Sequence, residues 1–198
     1  MREVRDWWVH TGHRTRLTSA LAPKMRGLEG LVIDVGGGRD APHDEAWPTG
    51  ARRLRIDITS THRPDVQADA VALPIGDAGA DGVLMVEVLE HLPDPGAAIV
   101  ETHRVLRDGG IFLGSAPFVW PVHGDPHDFF RFSEDGLRVL LRDFSEVHIE
   151  PVGSPKSSAW VLLSSTSRAA RVFNPLFRDV GRRPDPRAPE GYVFIARA

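Results

Sequence analysis

The sequence predicts an α/β fold in which helices wind onto both faces of a mostly parallel sheet. Three observations carry that reading. Leu31-Val32-Ile33-Asp34-Val35-Gly36-Gly37-Gly38 is an apolar run of strand length that enters a glycine turn. Leu54-Arg55-Ile56-Asp57-Ile58 reads as the neighbouring strand, with an acid near its end. Strand-like and helix-like stretches then alternate to the end of the sequence, the pattern of a doubly wound sheet.

Each element has a local reason. Residues 2–26 place Val4, Trp8, Leu17, Leu21 and Met25 near helical spacing, with Gly12 as a break. Trp7 and Trp8 either pack this helix onto the domain or close it over a ligand. The proline-bounded stretch at 40–48 leaves room for two helical turns at most. The link from Ile58 to Asp65 is shorter than the dozen residues a parallel crossover usually takes, so a bare loop is expected. Residues 66–70 read as a brief third strand. Residues 82–87 are an apolar run closed by Glu87, as in a strand covered on both faces.

Asp94 is a good N-cap, and Pro95 sits where its missing N–H costs nothing. Ala98, Ile99, Thr102, Val105 and Leu106 supply that helix's buried stripe, and Asp108-Gly109-Gly110 stops it. Residues 111–115 form the next strand. Ser133 caps another helix, with Glu134 and Asp135 at the positive end of its dipole. Leu137, Leu140, Leu141 and Phe144 follow at helical spacing. Residues 146–150 and 191–196 are the last strands. Between them, 156–181 form an extra helical piece broken at Asn174-Pro175, which covers the sheet, lids an apolar acceptor or meets a partner.

Composition narrows the function. The 198 residues suffice for one domain with a full core. The expected division is a helical cap at 1–27, a cofactor-binding core at 28–152, a helical insertion at 153–190 and the last strand at 191–198. The net charge of −3 argues against nucleic acid. The absence of cysteine excludes disulfides, thiolate metal sites and cysteine nucleophiles, and makes a cytoplasmic location the default. No apolar run reaches membrane-spanning length. Lys24 and Lys156 are the only lysines, so a Schiff base is disfavoured.

The glycine turn and the following acid point to a nucleoside cofactor across the strand ends. Glycine lets backbone lie close to a ligand, and an acid about twenty residues later suits ribose hydroxyls. Asp34 just before the turn would repel a pyrophosphate but tolerate a cation. S-adenosylmethionine, with a sulfonium, an ammonium and no phosphate, fits best. A nicotinamide dinucleotide and a purely structural turn are the alternatives. A short-chain dehydrogenase is excluded, because the only tyrosine, Tyr192, is followed four residues later by Ala196 rather than lysine.

Five stretches in order resemble the class I S-adenosylmethionine-dependent methyltransferases. They are Val32 to Gly38, Ile56-Asp57-Ile58, Ala68-Asp69-Ala70 through Pro74, Asp81 through Glu87-Val88-Leu89-Glu90-His91 to Pro95, and Arg104 to Gly110. A further branch resemblance lies in Pro117-Phe118 and His123-Gly124-Asp125-Pro126-His127-Asp128-Phe129-Phe130-Arg131-Phe132-Ser133. The resemblance implies a Rossmann-like, seven-stranded sheet with a C-terminal antiparallel strand. It also implies roles. Asp34 would reach the methionyl ammonium, directly or through water, and Gly36, Gly37 and Gly38 would lie by the methionine portion. Asp57 would hold the ribose and Ile58 pack on adenine. Asp69 and the Ala70 N–H would meet the adenine edge, and Glu87 and Val88 the methionine end. The third glycine of the family turn is replaced near Arg39-Asp40, and Arg39 is one candidate partner for the Asp34 carboxylate.

Methyl transfer requires the nucleophile held about 3 Å from the methyl carbon, in line with the leaving sulfur. A hydroxyl acceptor also needs a base, and histidine suits neutral pH. His91, His123, His127 and Asp128 follow the fourth and fifth strands. His123 or His127 is the expected base, with Asp128 orienting it. His91 either braces its loop or touches the acceptor. Arg131 either pairs with Asp128 or binds an anion. The expected acceptor is a sugar-containing, natural-product or lipid-linked small molecule, methylated at oxygen, and a homodimer is compatible with the sequence. The rivals are a non-catalytic binding module and a metal-dependent hydrolase built on His123 and His127. No metal is assigned, because Pro126 interrupts the helix that would align those histidines.

Overall fold

The computed structural model describes residues 12–38, 41, 43–124, 127–167 and 183–198. Trp7, Trp8, Arg39, Asp40, Asp125 and Pro126, and the second half of the 156–181 piece with Asn174-Pro175, lie outside the described residues.

The strands are β1 (Gly30–Val35), β2 (Ala51–Asp57), β3 (Val66–Gln67), β4 (Ala80–Val86), β5 (Leu106–Pro117), β6 (Ser145–Val152) and β7 (Gly191–Arg197). They form one seven-stranded sheet in the order β3-β2-β1-β4-β5-β7-β6. The first five are parallel, and β7 runs antiparallel between β5 and β6. This is the Rossmann-like arrangement with a reversed C-terminal strand. The strand order turns back between β1 and β4, so the crevice for a ligand opens at their carboxyl ends.

Among the described residues the α-helices are α1 (Gly12–Met25), α2 (Pro95–Val105), α3 (Glu134–Leu140) and α4 (Pro155–Thr166). Strand side chains alternate between the two faces. Val32, Leu84, Leu113 and Val193 meet Leu17, Leu21 and Met25 of α1 on one face. Ile33, Val83, Met85, Phe112 and Phe194 meet Ala98, Ile99 and Val105 of α2 and Leu137 of α3 on the other. A Cβ at Gly114 would come within 2.4 Å of the Phe194 ring. Glycine there lets Phe194 seat edge-on against Phe112, with centroids 5.1 Å apart.

Both expected caps are present. The Asp94 carboxylate accepts from the Ala97 N–H at 2.9 Å, and the Ser133 hydroxyl from the Gly136 N–H at 3.1 Å. The short links are also as their lengths require. A single 3-10 turn, Asp44–Ala46, follows the glycine turn, and another, Ser60–His62, joins β2 to β3. Two details differ. α2 ends at Val105, and the backbone from Leu106 already pairs with β4 through an irregular register, so Asp108-Gly109-Gly110 lies within β5. α3 ends at Leu140, because Leu141 and Phe144 bury themselves from the turn that follows.

Candidate active site

A cavity of about 460 Å³ opens at the carboxyl ends of β1, β2 and β4. That size suits a small organic ligand. Val35 and Gly36 form its floor, Asp57 and Ile58 one wall, and Asp69 and Ala70 the next. Glu87 and Val88, after β4, line it as well, as do His91, His127 and Phe129. Ile58 and Phe129 remain about half exposed, which gives the mouth an apolar rim.

The floor depends on one glycine. Gly36 has φ +71°, and a Cβ there would come within 2.5 Å of Val88 Cγ2. The Asp57 carboxylate, at the end of β2, is buried. It accepts from the Thr59 N–H at 2.8 Å, and its other oxygen lies 2.9 Å from His62 Nδ1. These bonds fix its direction and leave lone pairs for a ligand. The Asp69 carboxylate accepts from the Val71 N–H at 3.1 Å. Glu87 has φ +55°, uncommon for a residue with a side chain. The Glu87 N–H donates to Ser115 Oγ at 3.1 Å, and that hydroxyl donates to Glu87 Oε1 at 2.7 Å.

Asp34, Gly37 and Gly38 are not in the cavity wall. Asp34 is fully buried. Its carboxylate accepts from Arg53 through Nε at 2.8 Å and through Nη2, with His43 Nε2 at 3.3 Å. Arg53 also pairs with Asp44 and lies 4.3 Å over the Trp47 ring. Arg53 and His43 are thus partners of this carboxylate, and Arg39, the candidate the sequence offered, lies outside the described residues. Gly37 permits this packing, because a Cβ there would strike the Asp34 carboxylate.

The histidine segment divides into two layers. His91 and His127 line the cavity. The His91 ring Nδ1 bonds the His127 carbonyl, so His91 braces the 127 region as well as facing the space. His123 is not in the wall; its Nδ1 lies 3.3 Å from Asp128 Oδ2. Asp128 accepts from the His123 N–H at 2.7 Å and from both terminal nitrogens of Arg131. Arg131 is therefore spent on an internal pair. Burial works against the Asp128 charge, but Arg131 holds the carboxyl below its usual range. Burial pulls the His123 pKa down, helped by the neighbouring His91.

A buried polar cluster behind this segment was not apparent from sequence. The Glu190 carboxylate accepts from Arg16 at 2.5 Å and lies 2.7 Å from His13 Nδ1. His13 Nε2 stands 3.7 Å from Glu87 Oε2. Burial alone would lower the His13 pKa, yet Glu190 and Glu87 lift it to about 9. Glu90 is fully buried as well. Burial first, and the Glu87 charge second, push its pKa well above the usual carboxylate range. These partners lie far apart in the chain, so only the folded topology joins them.

Comparison with known proteins decides the family. A methyltransferase domain matches residues 33–114, which run from β1 into β5. The 27-O-demethylrifamycin SV methyltransferase of Amycolatopsis mediterranei is 32% identical over 167 residues, covering 73% of this chain and 61% of that protein. The chain belongs to the class I S-adenosylmethionine-dependent methyltransferase family. A probable S-adenosylmethionine-dependent methyltransferase of Mycolicibacterium smegmatis is 40% identical over 67 residues, 34% of this chain and 23% of that protein. The chain thus spans less than two thirds of the length of these relatives. The 1,6-didemethyltoxoflavin-N1-methyltransferase of Burkholderia thailandensis, solved with 1,6-didemethyltoxoflavin and S-adenosylhomocysteine, shares the fold. Its TM-score is 0.65 at 20% identity, over 99% of this chain and 82% of that one. S-adenosylmethionine is the cofactor of the family. Among the described residues, no helix is long and apolar enough to cross a membrane.

Proposed function

We propose that this chain is a methyltransferase that uses S-adenosylmethionine to methylate an oxygen of a small-molecule acceptor. The observation that carries the reading is the cavity wall, where the Asp57 carboxylate, the Asp69–Ala70 edge and the open backbone of Gly36 surround one ligand-sized space. Among the described residues, the first helical element after the glycine turn is the 3-10 turn Asp44–Ala46, not an α-helix that could receive a pyrophosphate. That favours a phosphate-free nucleoside over a dinucleotide.

When bound, S-adenosylmethionine supplies an electrophilic methyl group on its sulfonium. Asp57 would hold the ribose hydroxyls, Ile58 would pack on adenine, and Asp69 with the Ala70 N–H would meet the adenine edge. Glu87, Val88 and Gly36 would border the methionine end. Asp34, with Gly37 and Gly38, would support that end from behind the wall, its charge already held by Arg53. His127 is the proposed base, since it is exposed and lines the cavity, while Asp128 orients His123 behind it. His91 would border the acceptor, and Arg131 would hold Asp128. A rifamycin-related acceptor in the printed name of one relative supports oxygen and a natural-product or sugar-containing acceptor.

The test is methyl transfer from labelled S-adenosylmethionine to a panel of hydroxylated natural products, glycosides and lipid-linked sugars. The expected result is an O-methylated product, with turnover reduced about 100-fold or more in His127→Ala. Saturable cofactor binding with no transfer across the panel would instead favour a binding module of the same fold.

A further inference from the structure

The 3-10 turn Leu89–His91, just after β4, buries an acidic side chain. Glu90 is 0% exposed, and neither carboxylate oxygen has a hydrogen-bond partner among the described residues. The residue is not loosely placed, because its carbonyl accepts from the Phe129 N–H at 2.7 Å and from the Phe130 N–H at 3.3 Å. A buried carboxylate without donors is costly, and native structures rarely keep one unless something else binds it.

Two imidazoles face this carboxylate. His91 Nε2 is 3.6 Å and His123 Nε2 3.9 Å from Glu90 Oε1. Both are too long for hydrogen bonds. Each ring is set by an acceptor at its other nitrogen. His91 Nδ1 bonds the His127 carbonyl. His123 Nδ1 lies 3.3 Å from the Pro121 carbonyl and 3.3 Å from Asp128 Oδ2. A proton on each Nδ1 puts both Nε2 lone pairs on the Glu90 side. Ring N–H groups held by a carbonyl or carboxylate are also how proteins aim histidines at metals.

We propose that Glu90, His91 and His123 form a binding site for a divalent transition-metal ion. One candidate ligand atom from each residue lies within 4.8 Å of the others. A tetrahedral ion with bonds of 2.0–2.1 Å sets neighbouring ligand atoms about 3.4 Å apart. The two distances to Glu90 Oε1, 3.6 and 3.9 Å, exceed that by a few tenths of an ångström, and the two imidazole nitrogens lie no more than 4.8 Å apart. Two imidazoles and one carboxylate suit zinc, cobalt, iron or manganese rather than calcium. The dication would give the Glu90 oxygens the partner they lack among the described residues. His91 also lines the cavity, so the ion would adjoin the acceptor end. The site stands on this geometry, independently of methyl transfer.

The test is a cobalt titration of the full-length protein after removal of metals by a chelator. Visible absorption should saturate at one equivalent of Co²⁺, and Zn²⁺ should displace it. Glu90→Gln and His123→Ala should each weaken Co²⁺ binding by at least about tenfold, judged against the effect of outer partners. His148→Ala, on β6, should leave it unchanged. Bound Zn²⁺ should raise the melting temperature of the wild type and not of Glu90→Gln. Circular dichroism checks that each variant is folded, and His91→Ala serves if Glu90→Gln is not. Absence of saturable Co²⁺ binding by the wild type overturns the proposal and leaves Glu90 as a neutral carboxylic acid. Unchanged affinity in a folded Glu90→Gln or His123→Ala variant overturns it too.

Discussion

Arg53 of β2 closes its guanidinium on the Asp34 carboxylate of β1, with Nε 2.8 Å from Oδ2, beneath the glycine turn. The strands are parallel neighbours, yet the two residues are not register partners: Arg53 pairs with Val32 and Asp34 with Arg55. The guanidinium reaches along the sheet toward the cavity end. It neutralises a fully buried acid that the backbone of Gly37 covers.

Removing one member of that pair should be worse than removing both. Among the described residues, Arg53→Met leaves the buried Asp34 charge with His43 alone as a cationic or donor partner, and a cost of about 3–5 kcal/mol is expected. Asp34→Asn added to Arg53→Met should recover a good part of that loss. Urea unfolding of the two variants checks this. Equal stability of both variants would mean that the ion pair matters little.

His13 should make stability fall in alkaline solution. Its pKa rises from 6.5 to about 9 on folding, because Glu190 and Glu87 outweigh the burial that opposes them. A group with a raised pKa contributes fully below the unfolded value of about 6.5, and its contribution is lost as pH rises through about 9. The loss across that window is on the order of 3 kcal/mol. Chemical denaturation at several pH values should show this slope, and His13→Gln should flatten it.

Much of the frame was legible because it rests on local rules. Asp94 and Ser133 cap helices by contacts within three residues, and the strand acid Asp57 lies where its spacing from the glycine turn suggests. The short stretch 58–65 was expected to be a bare loop, and it holds one 3-10 turn, Ser60–His62, with no α-helix. The buried charge pairs were not legible. His13 and Glu190 are 177 residues apart, and nothing local marks either as buried. Glu90 reads in sequence as a loop acid, yet it is buried against the 123–131 segment. Arg53 was not marked either, because the second strand reads as starting at Leu54, whereas β2 begins at Ala51. The site's cofactor side follows strand ends, whereas its acceptor side is made by a loop whose path no periodicity fixes.

Gly36→Ala tests the floor of the cavity. A positive φ costs an alanine about 1–2 kcal/mol. The new methyl would also press on Val88 Cγ2, 2.5 Å from the ideal Cβ position. Lower stability and weaker binding of S-adenosylhomocysteine are expected. Val88→Ala in the same chain should relieve the clash and restore part of the binding, leaving the backbone penalty.

The most direct measurement of the central claim is a calorimetric titration with S-adenosylhomocysteine, comparing the wild type with Asp57→Ala. Loss of a charged hydrogen-bond acceptor should weaken binding by about 1.5–3 kcal/mol, or roughly 10- to 150-fold. The account predicts one site per wild-type chain and that loss in the folded variant. No saturable binding by the wild type, or the same affinity in Asp57→Ala, would contradict it.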